Sequence, residues 1–597
     1  MGEEILIEKK SRLFVKRWSV FFVVVLLAYA FSGLRYGMAR EGAGGLDLVF
    51  EVRDRIHRDY VDRVDSLRII DAGVEGMLAA LPEGDDDSFS QIERNDTETS
   101  LRLGDRGQRQ ALVEAFDQIN SQSIDAVSVD SLVRGTVWGM LTALDPHSSY
   151  LDAADYADMI ERFRGDFEGI GIYFEVREGK LLVISPIVGS PSYGKLRAGD
   201  HIAEIEGVST EGISTDEVMD KLRGARGSQV QVAVRRQGRE GLLAFTIRRD
   251  RVEIRSVPYA YMLEPGVGYV RIVRFAETTA EELDRALDTL RAQGMRSLLL
   301  DLRDNGGGLL DQAVEVSDFF LGENELVVYT EGREGRRHEF RARRRLQEVM
   351  PLVVLIDHGS ASASEIVAGA VQDLDMGIVA GQTSFGKGLV QGQFPLRSNG
   401  GLLLLTVARY YTPLGRLIQR PYSDDVQVYY EEGVDDIDPN TIDSLRAGKA
   451  VFYTQQGRAV YGGGGITPDV FLPAEKLSDL AVDLFTQGHL ADFCGYWTGA
   501  HSDWPVDFED YLRSYTVPEE TYDAFASFLD ERDAEIDLAM LGKDRSFLQT
   551  ELKAGFARVL WGEEQYYRAR MLGDEQVKGA LAIFPQALQL VQTRGTY

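Results

Sequence analysis

Two stretches constrain this chain most, Ser297-Leu-Leu-Leu-Asp-Leu-Arg303 and Pro351-Leu-Val-Val-Leu-Ile-Asp357. Each is a short apolar run with the length of a buried strand. Each leads into a glycine-containing loop, Asp304-Asn-Gly-Gly-Gly308 after the first and His358-Gly-Ser360 after the second. Helical spacing follows both loops, over 309–320 and about 361–374. Strand, loop and helix twice over predict parallel strands in an α/β sheet. Sites in such sheets form beyond the carboxyl ends of strands, where both loops fall.

This alternation fills residues 255–475 of a 597-residue chain, long enough for about four domains. Residues 46–160 read as a helical domain, with apolar residues three and four apart around 46–57 and 131–141. Between them 82–110 is polar and reads as a loop or insertion. Residues 476–597 read as a helical C-terminal domain in which no chemistry is visible; an accessory role is expected, with docking, lid or oligomer contacts as alternatives. A formal charge of −30 argues against a nucleic-acid partner. The one cysteine, Cys494, allows no intrachain disulfide and no cysteine-based metal cluster. Seven scattered histidines have no zinc spacing, and no cofactor is expected. Lys9, Lys10, Arg12, Lys16 and Arg17 precede an apolar run over 18–34. The positive-inside rule puts 1–17 in the cytoplasm, 18–34 in the membrane and the body on the periplasmic or extracytoplasmic side. Ala28-Tyr-Ala30 also fits a signal cleavage site, which would leave a free exported body.

Ser362 lies at the start of the second helix, and Lys387 follows in Gly381-x-x-x-x-Gly386-Lys387. A serine hydroxyl needs a base, and a lysine serves only if burial lowers its pKa from about 10.4. The pair is either a Ser-Lys hydrolytic dyad or a structural cap and an unrelated lysine. At a helix start, the N–H of Ala363 can face an oxyanion, with Gly307 or Gly308 as second donor. A phosphate loop is excluded by Gly388, which stands where Ser or Thr is required. His358 is a weaker candidate base, four residues before the serine. Ser192-x-x-Lys195 matches a second dyad spacing but sits in another domain. Gln391, four residues after Lys387, reaches it only if the backbone over 387–391 is not a straight strand.

Residues 164–248 carry strand patterns, a helix over 215–222 capped by Ser214 or Thr215, and Leu196-Arg-Ala-Gly-Asp200. This segment resembles a PDZ domain. Gly169-Ile170-Gly171-Ile172 matches the loop whose N–H groups capture a chain-terminal carboxylate while the peptide adds as a strand.

The motifs taken together resemble the carboxyl-terminal processing, or tail-specific, proteases of the S41 serine peptidase family. They are Leu-Asp-Pro-His-Ser-Ser-Tyr at 144–150, the PDZ segment, 301–310, 360–370, Phe-Gly-Lys-Gly-Leu-Val-Gln at 385–391, 406–416 and Gly-Ile-Thr-Pro-Asp at 465–469. The resemblance implies a crotonase/ClpP-like α/β core with an inserted PDZ domain. It makes Ser362 the nucleophile, Lys387 the general base and Gln391 the residue that positions the lysine. Ala363 and the Gly307/Gly308 loop would form the oxyanion hole. Substrates would be proteins or peptides with free C-termini, without metal or nucleotide. The sequence is compatible with a homo-oligomer or an adaptor. Asp304-Asn-Gly departs from the family wording, which has proline before the glycine pair, and leaves the oxyanion glycine open by one residue. The rivals are an inactive exported PDZ scaffold and a small-molecule acyl hydrolase; the intact dyad argues against the first, the PDZ segment against the second.

Overall fold

Leu298, Leu299 and Leu300 are all fully buried. Successive strand residues face opposite sides of a sheet, so this strand needs cover on both faces. The computed structural model describes residues 45–81, 105–122, 128–177, 179–236, 239–344, 349–422, 429–430, 448–532 and 538–594. In chain order the core strands are β1 (Tyr259–Glu264), β2 (Val267–Arg271), β3 (Ser297–Asp301), β4 (Leu352–Ile356) and β5 (Ile378–Gly381). After them come β6 (Leu389–Pro395), β7 (Leu402–Tyr411) and β8 (Val470–Phe471). A six-stranded sheet runs β1-β2-β3-β4-β5-β8, with β1 and β2 an antiparallel pair and every later pairing parallel.

One face is covered by α1 (Thr279–Ala292), α2 (Leu310–Ser317) and α3 (Ala363–Asp373), which pack on Leu298, Leu300, Val354 and Ile356. The opposite face, with Tyr269, Leu299, Val353, Leu355 and Ala380, packs into one core with the C-terminal helices. Among these are α4 (Arg545–Trp561), α5 (Glu563–Gly573) and α6 (Glu575–Arg594). Residues 476–597 are therefore not an appendage. They supply the second helical layer of the α/β core. All eleven residues of α3 are buried, which accounts for its run of small side chains. Its polar members have partners: Asp373 pairs with Arg416 at 2.5 Å, and Gln372 Nε2 donates to the Thr467 carbonyl at 2.9 Å.

The helices Gly45–Asp59, Ser66–Ala79, Asp105–Gln122 and Val129–Thr142 pack against one another and on Leu403 and Leu405 of β7. Residues 105–110, expected in a loop, are the first turns of Asp105–Gln122; 82–104 lie outside the described residues. So does the 18–34 segment. Among the described residues no helix is long and apolar enough to cross a membrane.

The PDZ-like segment forms its own sheet, in which Ile172–Arg177 is an edge strand beside Lys180–Pro186. Its helix Thr215–Leu222 is capped by Ser214, and the Glu217 carboxylate accepts from the Ser214 N–H at 2.9 Å. The carbonyl of Gly171 accepts from Ile187 N at 3.0 Å and from the Ser190 hydroxyl at 2.8 Å. Gly171 has φ 76°, and a Cβ there would stand 2.3 Å from that of Ser190, so the loop admits only glycine.

Candidate active site

The two loops singled out from sequence interlock at the carboxyl ends of β3 and β4. The Asn305 carbonyl accepts from Ala361 N at 3.0 Å and from the Ser364 hydroxyl at 2.7 Å. The Asp357 carboxylate accepts from Asp304 N at 2.9 Å and from Gly359 N at 3.0 Å. A Cβ on Gly307 would stand 2.8 Å from the Ala361 oxygen, 2.8 Å from Ser362 Cβ and 2.9 Å from Ala363 N. The glycine loop thus lies directly on the serine. Ser362 is the N-cap of α3 and has φ 55° and ψ −111°, a conformation that is uncommon for a residue with a side chain.

Two side chains, Glu365 and Tyr410, hold that serine and the lysine segment together. Glu365, fully buried, accepts from Ser362 N at 2.7 Å, Lys387 N at 2.9 Å, Gly386 N at 2.7 Å and the Ser384 hydroxyl at 2.5 Å. Burial pushes its carboxyl pKa up, against the pull of those donors. Tyr410, on β7, lies with its hydroxyl 3.1 Å from the Ser362 carbonyl and also donates to the Lys387 carbonyl. Lys387 Nζ donates to Gln391 Oε1 at 3.1 Å. Gln391 Nε2 in turn donates to the carbonyl of His147. His147 lies in a turn organised by Asp145, whose carboxylate accepts from the N–H groups of His147 at 2.7 Å and Ser148 at 2.8 Å. The helical N-terminal region therefore reaches the lysine through Gln391.

The Lys387–Gln391 contact is made without a helical turn. Residue 387 precedes β6, and the pairing of β6 with β7 shifts by one between Val390 and Gln391, where Val407 of β7 is skipped. Such a register shift twists the strand pair locally, beside Gln391. Burial lowers the Lys387 pKa, while the nearby Asp145 and Glu365 carboxylates oppose the shift. His147 is held neutral by burial, with Lys387 and Arg420 adding to the effect. His358 is pushed down to about 4 by burial and then by Arg420. Its Nε2 has no hydrogen-bond partner among the described residues.

The structure also separates the two candidate oxyanion glycines. The N–H of Gly307 is already donated to Asn305 Oδ1 at 2.9 Å. The N–H groups of Gly308 and Ala363 meet no acceptor among the described residues. Gly308 has φ 144°, and its Cβ would fall 2.2 Å from the Phe275 carbonyl oxygen, so a side chain is excluded there too. Sequence reading missed Glu365, Tyr410 and the Asp145–His147 turn. Glu365 carried a signal, since a glutamate three residues after a helix-starting serine spells a capping box. Tyr410 carried none.

The chain matches peptidase family S41 over residues 266–428, a PDZ domain over 169–247 and a family of unknown function over 505–562. It is 38% identical over 312 residues to a carboxy-terminal-processing protease of Bartonella bacilliformis, covering 51% of this chain and 71% of that one. To the carboxy-terminal processing protease CtpA of Bacillus subtilis it is 34% identical over 311 residues, covering 52% and 66% of the two chains. A solved photosystem II D1 C-terminal processing protease superposes with 24% identity and a TM-score of 0.36, covering 72% of this chain and 94% of that structure.

Proposed function

The chain belongs to peptidase family S41, the carboxy-terminal processing proteases that carry a PDZ domain, and we propose that it is an endopeptidase working through a Ser362–Lys387 dyad. The observation that carries this reading is the lysine itself. Its amine is held 3.1 Å from Gln391, burial favours its neutral form, and its backbone shares the Glu365 carboxylate with Ser362.

Neutral Lys387 takes the proton of the Ser362 hydroxyl as its oxygen bonds to the scissile carbonyl carbon. The carbonyl oxygen becomes an oxyanion, met by the N–H groups of Ala363 and Gly308. The Lys387 ammonium returns the proton to the departing amine and leaves an acyl-enzyme. A water molecule, deprotonated by the same lysine, then releases the new C-terminus and restores the serine. The substrate tail docks its carboxylate on Gly169–Ile172 and adds as a strand along Ile172–Arg177. A body outside the cytoplasmic membrane, acting on exported substrates, is supported by the basic flank and apolar run in the sequence of residues 1–34.

The test uses the full chain and a peptide with an apolar free C-terminus. Wild type cleaves it, and Ser362→Ala and Lys387→Ala lose cleavage by at least about 10³-fold. Amidating the peptide's C-terminus slows wild type. Undiminished cleavage by Lys387→Ala would remove the dyad, and an unchanged rate on the amide would remove the PDZ part.

A further inference from the structure

Arg303 stands at the root of the glycine loop, five residues before Gly308, and is 8% exposed. Its Nε and Nη2 donate to Asp301, at 3.0 and 2.7 Å, and Nη2 also donates to Met571 Sδ on α5 at 3.7 Å. Asp301 is two residues back, at the end of β3, so its contact orients the guanidinium without tying the strand end to another element. Its Nη1 donates elsewhere, to Asp574 Oδ2 at 2.9 Å and Gln576 Oε1 at 2.9 Å. Both belong to the C-terminal layer. Asp574 caps α6 by accepting from Val577 N at 2.9 Å, and Gln576 Nε2 donates to the Leu472 carbonyl at 2.8 Å. The N-terminus of α6 is thus fastened to the same end of the sheet as the reacting loops.

From Arg303 a continuous set of contacts runs to the serine. The Arg303 carbonyl accepts from Arg271 Nη2 at 3.1 Å. Asp304, with φ 56°, is held by the Asp357 carboxylate. Asn305, fully buried, uses its amide on Ile272 O at 2.8 Å and Gly307 N at 2.9 Å, and its carbonyl on Ala361 and Ser364. No segment between Arg303 and Gly307 is left to side-chain packing alone.

We propose that Asp574 and Gln576 are positioning residues for catalysis, contributed by the C-terminal layer, which act through Arg303 to fix the 304–308 loop against Ser362. The proposal rests on the Ser-Lys peptidase reading. A displaced loop weakens the oxyanion contacts, which matter in the transition state, and leaves ground-state peptide binding alone.

The test compares full-length wild type, Asp574→Asn and Gln576→Met. Asparagine keeps the helix cap and removes the charge facing Arg303; methionine keeps volume and removes the acceptor. Each variant is expected to lose kcat about tenfold with KM within about twofold, a fraction of the loss on deleting an oxyanion donor. Affinity for a peptidyl aldehyde, which forms a tetrahedral adduct on the serine, should fall by the same factor. Binding of the uncleaved peptide to the Ser362→Ala background should not change. Unaltered kcat in both variants overturns the proposal, as does a fall in kcat with aldehyde affinity intact. If Asp574→Asn does not fold, Gln576→Met alone decides. Wild type that cleaves no faster than Ser362→Ala would instead defeat the underlying peptidase reading, an outcome separable from these.

Discussion

Gly307 contributes no functional group, yet a single methyl there would meet the serine's own Cβ at 2.8 Å with φ at 99°. Gly307→Ala is expected to cost at least about 10²-fold in kcat, the scale of an oxyanion loss, although no donor is removed. A peptide assay beside a thermal melt checks this, and activity within twofold of wild type would contradict it. Gln391 admits a sharper experiment. Gln391→Glu places a carboxylate where an amide oxygen now accepts from Lys387. An opposite charge favours the ammonium, so the acidic limb of kcat/KM against pH moves upward, by about 1–3 units for a close pair. A limb that stays in place or moves down would show that Lys387 is not the titrating base. Stability gives the opposite view of the same group. The folded pKa of Lys387 is depressed, so the unfolded chain binds more protons in the window between the two values. Lys387→Met should therefore be more stable than wild type at neutral pH. The gap should narrow as pH rises toward the free value of about 10.4. Ser362 and Lys387 are legible as candidates only together, since a serine at a helix start is an ordinary cap until a lysine between glycines stands beside it. What was not legible was Tyr410, whose role depends on two carbonyls 25 residues apart in sequence meeting one hydroxyl.

Strands and helices were read from periodicity, and the contact between Lys387 and Gln391 marks where that reading fails. Spacing of four suggests a helical turn, whereas the two residues meet across the entry into β6, beside a register shift between β6 and β7. The extra residue, Val407 on β7, leaves no compositional mark, so only the pairing register exposes it. The PDZ-like edge strand shows a second such limit. Arg177 at its end donates to the Gln487 carbonyl at 2.7 Å and to Asp492 at 2.8 Å. Gln487 is the C-cap of the helix Asp479–Thr486, where a cation is favoured. Gly488 has φ 75°, and a Cβ there would stand 1.6 Å from the Arg177 Nη1. Arg177→Ala and Gly488→Ala should each detach this strand end from the C-terminal layer. Partly exposed pairs of this kind are worth about 0.2–1 kcal/mol, so the global melt should barely move. Faster hydrogen exchange over 172–177 and 487–492, with the core unchanged, is the expected result. Equal exchange in wild type and both variants would mean the contact does not hold the strand.

At the scale of the whole molecule, the main surprise lies in the C-terminal helices. Their helical character is plain from spacing, but their place is not. A run such as Leu298-Leu-Leu300 is buried on both faces, and among the described residues only one face is filled by helices inside 255–475. A strand buried on both faces needs a second layer, and the C-terminal helices supply it although their own sequence carries no chemistry that would mark them for the role. The consequence is a prediction about truncation. A chain ending at residue 475 would bare Tyr269, Leu299, Val353 and Leu355, all of them within 1% of full burial in the complete protein. Each such side chain contributes about 1.5–3 kcal/mol when buried, about 6–12 kcal/mol for the four. A native domain has about 5–15 kcal/mol of stability in total. The truncated chain should therefore be recovered as aggregate, or as a species that binds a hydrophobic dye and melts without cooperativity. A soluble, cooperatively melting and active 45–475 fragment would mean that the second layer is dispensable, and with it the claim that the family core of this chain is completed by its own C-terminus.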